Sequence, residues 1–121
     1  MLLGEVRSLA QQLAFEQKAI IELDLALREI GSNAILHGGG GRATVRVVER
    51  SPGDGTGIEV VVSDDGPGIP DVEAALVDGF STRGGLGLGL GAARRLSDRL
   101  TIDTAVDAGT RVVLVKWSHA P

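Results

Sequence analysis

A chain of 121 residues holds one domain with a sizeable core and leaves no room for two ordinary ones, and 43% hydrophobic content excludes disorder. The absence of cysteine excludes thiol catalysis, disulfides and the common structural zinc sites, two scattered histidines make no metal site, and a net charge of -4 without a basic block excludes nucleic acid as the main partner. No apolar run approaches the ~20 residues of a membrane span and the amino end lacks a signal-peptide pattern, so the expected setting is the cytoplasm, away from any membrane.

Leu2, Leu3, Val6, Leu9, Ala10 and Leu13 recur at steps of one, three and four, which predicts an amphipathic helix ending near Phe15. A second helix is expected over residues 18–37, with Ile20, Leu23, Leu27, Ile30 and Ala34 as its core stripe; the glycines at 38–41 end it in a loop able to move. Ala43, Val45 and Val47 alternate with polar residues and predict a half-buried strand over 42–50, joined through a turn at 51–57 to a return strand at 58–63. Residues 71–78 read as a short helix capped by Asp71 and stopped at Gly79, with Phe80 anchoring the loop that follows. Leu90, Ala93, Leu96 and Leu100 mark a third long helix, and residues 101–106 and 110–117 close the chain as a hairpin turning at Asp107-Ala108-Gly109. With only three aromatics the core is built from Leu, Val, Ile and Ala. Helices followed by strand pairs predict an α/β fold, one mixed sheet with helices packed on one face, without repeats or an internal domain boundary.

The chain is organised around residues 64–91, DDGPGIPDVEAALVDGFSTRGGLGLGLG, which hold eight of its 18 glycines. Asp64 follows the apolar run 58–62 and is expected to project from a strand end into a turn. Gly66 and Gly68 let backbone approach a ligand there, and Pro67 and Pro70 stiffen the turn. Gly84, Gly85, Gly87, Gly89 and Gly91 lead into Ala92-Ala93-Arg94-Arg95-Leu96, a helix start whose free amides and dipole suit an anion. A plain flexible loop also produces glycine runs; pairing with Asp64-x-Gly66-x-Gly68 gives this one its meaning.

Glu29, Asn33 and His37 lie four apart on the second helix. At 3.6 residues per turn, Glu29 and Asn33 stand roughly 80 to 120° from the apolar stripe. Asn33 offers a hard oxygen to Mg²⁺ and Glu29 a carboxylate able to take a proton from an attacking hydroxyl. The solvated flank of an amphipathic helix gives the same pattern, and a histidine near a helix C-terminus also suits the last carbonyls and the dipole.

Glu29-x-x-x-Asn33-Ala34, Asp64-x-Gly66-x-Gly68 and Gly85-x-Gly87-x-Gly89, in this order, resemble the N, G1 and G2 boxes of the GHKL (Bergerat-fold) ATPases and kinases. Asp78-Gly-Phe-Ser-Thr-Arg83 before the glycines, Arg94-Arg95-Leu96 after them and the Lys116-Trp117 ending resemble the small bacterial serine/threonine kinases of the partner-switching type, the RsbT-like switch kinases of the stressosome. The resemblance covers nearly the whole chain. It implies the Bergerat ATP-binding fold, a two-layer sandwich of a mixed, mostly antiparallel sheet with helices on one face.

The same resemblance implies ATP and Mg²⁺ as cofactors and a role for each matching residue. Asn33 would coordinate the Mg²⁺ that bridges the phosphates, and Glu29 would be the general base for a protein serine or threonine hydroxyl. Asp64 would accept from the adenine amino group, with Thr110 completing the contact through a water and Gly66 and Gly68 shaping the turn. Thr110 is equally a strand-starting residue. Gly85, Gly87 and Gly89 would give amides to the phosphates and Arg83 would neutralise their charge; a solvated loop arginine is the plainer reading of Arg83. Ser81 and Thr82 are turn formers or lid hydroxyls. Arg94, Arg95 and Arg99 read as a solvated face or as a basic patch for an acidic partner.

The implied substrate is a STAS-domain antagonist protein, with a sigma factor or a downstream phosphatase as further partners. An anti-sigma factor of the same fold and a non-catalytic nucleotide-dependent binding module are the competing readings. The family usually has a strand before its first helix, whereas here that helix starts almost at Met1. The single domain over residues 1–121 is thus expected to lack its first edge strand, which exposes the sheet, alters subunit pairing or marks part of a longer protein. The short segment between the glycine boxes fits a switch kinase, and no phospho-accepting histidine helix is present for a complete sensor histidine kinase.

Overall fold

The computed structural model describes residues 2–51, 53–69, 89–105 and 107–119, the side chains at 2, 36–38 and 89 excepted. The helix expected over 71–78 and the Phe80 anchor lie outside the described residues.

Helix α1 spans Leu2–Gln12. It stops three residues short of Phe15 because Ala14 takes a left-handed conformation, φ 58°, and the Phe15 amide closes back on the Ala10 carbonyl at 3.0 Å. Val6 and Ala10 are buried against the second helix, α2, Gln17–Gly38. The apolar stripe of α2 is buried as its spacing demands: Leu23, Ala26, Leu27, Ile30 and Ala34. The Arg7 and Arg28 guanidinium groups both reach Asp24 at 3.0 Å and tie α1 to α2. Partial burial pushes the Asp24 carboxyl up, but the hydrogen bonds and charges of Arg28 and Arg7 outweigh it and hold the group below the ordinary aspartate value.

Among the described residues there are four strands: β1 Gly41–Glu49, β2 Thr56–Asp64, β3 Arg99–Thr104 and β4 Thr110–Trp117. They form one sheet in the order β1-β2-β4-β3, with every pairing antiparallel. Both expected hairpins are present, and β2 passes to the edge strand β3 by a crossover that carries helix α3, Gly89–Leu96, before β3 turns back into β4 beside β2. Strand register puts Val45, Ile58, Val60, Val62, Leu100, Ile102, Val112 and Leu114 on one face, and all of them belong to the core under the helices. Arg46 and Glu59 face each other across β1 and β2 on the opposite face, at 2.7 Å. The architecture is the expected α/β arrangement with helices on one side of the sheet; the sheet, expected to be mixed and mostly antiparallel, is antiparallel at every pairing among the described residues.

Two expectations on connections are corrected. The third helix does not run to Leu100: it ends at Leu96, and Leu100 returns on β3 to the same core. The spacing of Leu90, Ala93, Leu96 and Leu100 suits a continuous helix only because two different elements bury their apolar residues in one core. Nor do glycines 38–41 form a loose loop. Gly38 is still helical, Gly39 is left-handed at φ 75°, the amides of Gly39 and Gly40 both donate to the Ala34 carbonyl, and Gly41 already begins β1.

Lys116 orients the layers. Its Nζ donates to Glu22 of α2 at 3.1 Å and to the Leu96 carbonyl at the end of α3 at 2.8 Å, while the side chain is only 9% exposed. The C-terminus of α3 is thereby fixed beside the early turns of α2, so α3 runs back along α2 and its N-terminus points toward the end of the fold where α2 finishes. Replacing Lys116 by Met leaves the Leu96 carbonyl and Glu22 without this donor. A stability loss of about 2 to 3 kcal/mol is expected in urea unfolding, and a loss below about 0.5 kcal/mol would show that the tie is incidental.

Candidate nucleotide site

Strand register lays Gly41, Asp64, Thr110 and Thr104 in one row across all four strands, at the end of the sheet where β2 finishes. Asp64 and Thr104 are half-buried and Thr110 is buried. The Gly66 amide donates to Asp64 Oδ1 at 2.9 Å, closing the turn that leaves the strand. Among the described residues the Asp64 carboxylate is held through Oδ1, and nothing donates to Oδ2.

This turn and the tip of the β3–β4 hairpin interlock. The Asp107 amide donates to the Pro67 carbonyl at 2.8 Å, and the Ile69 amide donates to Thr104 Oγ1 at 2.9 Å. Gly68, at φ 81°, lies so close to the Ala105 carbonyl that a Cβ would overlap it. Gly109, at φ 82°, meets the Asp64 carbonyl in the same way. Gly68, expected to admit a ligand, thus has a further reason to be glycine, and Gly109 of the hairpin turn has the same one: two backbone segments pass at a distance that no side chain permits. Thr104, singled out by no motif, joins the network by bonding Ile69, Gly109 and Thr110. The five-residue connection 105–109 sets 104 opposite 110, and that register is the signal that would have found it.

α2 brings the polar line to the same end. Only two residues, Gly39 and Gly40, separate α2 from β1, whose first residue pairs with Asp64, so the last turns of α2 stand by the row. Glu29 and Asn33 are half-buried, about 6 Å apart along the axis. Neither makes a side-chain hydrogen bond among the described residues. Gly89 opens α3, and the antiparallel course of that helix directs its amino end, with the positive end of its dipole, toward this region. Glu29, Asn33, Asp64, Gly66, Gly68 and Thr110 are thus brought to one end of the fold, with the start of α3 aimed at it. Arg83, Gly85 and Gly87 lie outside the described residues, as do Ser81, Thr82 and the side chain of His37.

The basic group expected from Arg94, Arg95 and Arg99 is not a single patch. Arg94 and Arg95 are exposed on the last turn of α3, in the helix layer. Arg99 pairs with Val115, out of step with the core-facing Leu100, so it belongs to the opposite face of the sheet. Among the described residues no helix is long and apolar enough to cross a membrane.

Comparison with known proteins agrees with this geometry. The family model of the histidine kinase-like ATPase domain matches residues 2–116. Serine/threonine-protein kinase RsbT of Bacillus subtilis is 34% identical over 112 residues, which cover 92% of this chain and 82% of the relative. An anti-sigma F factor of Clostridium novyi is 29% identical, covering 92% of this chain and 80% of the relative. The mycobacterial sensor histidine kinase MprB superposes with a TM-score of 0.54 at 26% identity, over 84% of this chain and 72% of that one. A row of polar residues at the sheet end, a polar line on the long helix beside it and a helix start aimed at both therefore occur in a chain that belongs to the family of histidine kinase-like ATPase domains.

Proposed function

We propose that this chain is a Mg·ATP-dependent protein serine/threonine kinase of a bacterial partner-switching pathway, working in the cytoplasm and phosphorylating a STAS-domain antagonist. The observation that carries this reading is the similarity to RsbT across 92% of the chain. The donor set fits the ligand. Among the described residues no group donates to Asp64 Oδ2 and neither Asn33 nor Glu29 makes a side-chain hydrogen bond, and all three stand at the end toward which α3 directs its dipole.

Bound ATP with Mg²⁺ supplies the phosphoryl group and the charge neutralisation that its transfer needs. Asp64, with Oδ1 fixed by the Gly66 amide, presents Oδ2 to the amino group of the base. Thr110 stands beside it in the row, and Gly68 keeps the turn against the hairpin tip. Asn33 holds Mg²⁺ through its hard oxygen. Glu29 takes the proton of the serine or threonine hydroxyl on the protein substrate. The amides of Gly85, Gly87 and Gly89 and the charge of Arg83 are assigned to the phosphates on the sequence motif.

A second reading is favoured by the anti-sigma F factors, 29% to 31% identical. In it the chain sequesters a sigma factor and the kinase activity serves release. The test is incubation of the purified chain with γ-labelled ATP and the STAS-domain proteins of the same organism. Label on a serine or threonine of one of them is the expected result. No label, with a sigma factor retained in a nucleotide-dependent complex, would favour the second reading. Nucleotide binding with neither outcome would leave a non-catalytic binding module.

A further inference from the structure

The Thr104 hydroxyl is a saturated node. It accepts from the Ile69 amide at 2.9 Å, donates to the Gly109 carbonyl at 3.1 Å and lies 3.0 Å from Thr110 Oγ1. A threonine hydroxyl has one proton and two lone pairs. With its proton on Gly109 and one lone pair on Ile69, its remaining lone pair receives the proton of Thr110. Every valence of Thr104 is then used, and Thr110 has spent its only proton inward. Thr110 is left with lone pairs alone for whatever binds beside it. Asp64, its direct partner across β2 and β4, is also a pure acceptor when ionised. The side-chain polar groups of this part of the row therefore offer acceptors and no donor.

We propose that Thr104 is a positioning residue that fixes Thr110 as an acceptor and thereby makes the site select a purine whose 6-position donates, an amino group, over one whose 6-position accepts, an oxo group. The inference rests on the nucleotide reading given above and adds the residue that sets the base preference. If Thr110 were free to rotate, its hydroxyl would donate to a 6-oxo group as readily as it accepts from a 6-amino group. The Thr104 node restrains that freedom, because freeing the Thr110 proton requires Thr104 to turn its own proton from the Gly109 carbonyl to Thr110 Oγ1 and give up the Gly109 bond. The same node ties the 64–69 turn to the hairpin tip, so orientation of the hydroxyl and shape of the turn are set together.

ATP and ITP differ at this edge and share the phosphates, and their dissociation constants, measured by calorimetry, read the preference directly. The wild-type chain is expected to favour ATP by about 100-fold or more. Thr104→Val removes the node while keeping the branched shape and is expected to lower the ATP:ITP preference by about tenfold or more, whereas Thr104→Ser keeps the hydroxyl and the preference. A Thr104→Val chain with an undiminished preference, or a Thr104→Ser chain that loses it, overturns the inference and reduces Thr104 to a packing residue. If circular dichroism shows Thr104→Val unfolded, Thr110→Val decides: loss of the preference supports the assignment and retention overturns it. A wild-type chain that binds ATP and ITP equally overturns the inference alone. One that binds neither overturns the nucleotide reading as well.

Discussion

Glu29→Gln is expected to lower phosphoryl transfer to protein by about 10²- to 10⁴-fold and to leave ATP binding unchanged. The substitution is nearly isosteric and removes only the capacity to take a proton. Glu29 stands about 6 Å along α2 from Asn33 and makes no side-chain hydrogen bond among the described residues, so glutamine there breaks none of these and stability is expected to hold. The split between transfer and binding is the informative part. Loss of both would place Glu29 in the structure of the site, and full transfer by the variant would remove it as the base. Quantitative labelling of the protein substrate at saturating ATP makes the measurement.

The largest expected loss of stability lies at Gly109. Its φ of 82° already disfavours any side chain, and an added Cβ would overlap the carbonyl oxygen of Asp64, which is backbone and has no rotamer to yield. Gly109→Ala is expected to cost about 3 kcal/mol or more, read as a lower urea midpoint at unchanged slope. It also pushes Asp64 away from Thr110, so nucleotide binding falls in whatever fraction still folds. A variant with wild-type stability would mean that the hairpin tip and the 64–69 turn do not pack as closely as their backbones indicate. Gly68 faces the Ala105 carbonyl from the other side of the same contact.

Much of this was legible in the sequence because single elements carry their own periodicity. The stripe Leu23, Leu27, Ile30 and Ala34 marks α2 and its buried face, and the alternation around Val45 with the apolar run at 58–62 marks the first hairpin to within two residues of its strand ends. The motifs also marked Asp64 and Thr110, which register then made direct neighbours. What escaped depends on contacts between elements distant in sequence. Leu100 fits a helical spacing because a strand and a helix share one core, and Arg99 lies near Arg94 and Arg95 in sequence although alternation on β3 turns it to the other face of the sheet. Thr104 carries no motif of its own. Its meaning comes from Ile69, 35 positions away, and from the hairpin register that sets it opposite Thr110. The glycines at 38–41 suggest slack, yet the amides of Gly39 and Gly40 are spent on the Ala34 carbonyl and the connection is short.

The most direct measurement is calorimetric titration of the chain with ATP, with and without Mg²⁺, alongside Asp64→Asn and Asn33→Ala. Saturable binding strengthened by Mg²⁺ is expected. Asp64→Asn should weaken it by about tenfold or more whether or not the metal is present, and Asn33→Ala should abolish mainly the gain from Mg²⁺. Absence of saturable binding by the wild-type chain, or binding indifferent to both substitutions, would contradict a Mg·ATP site at this end of the fold.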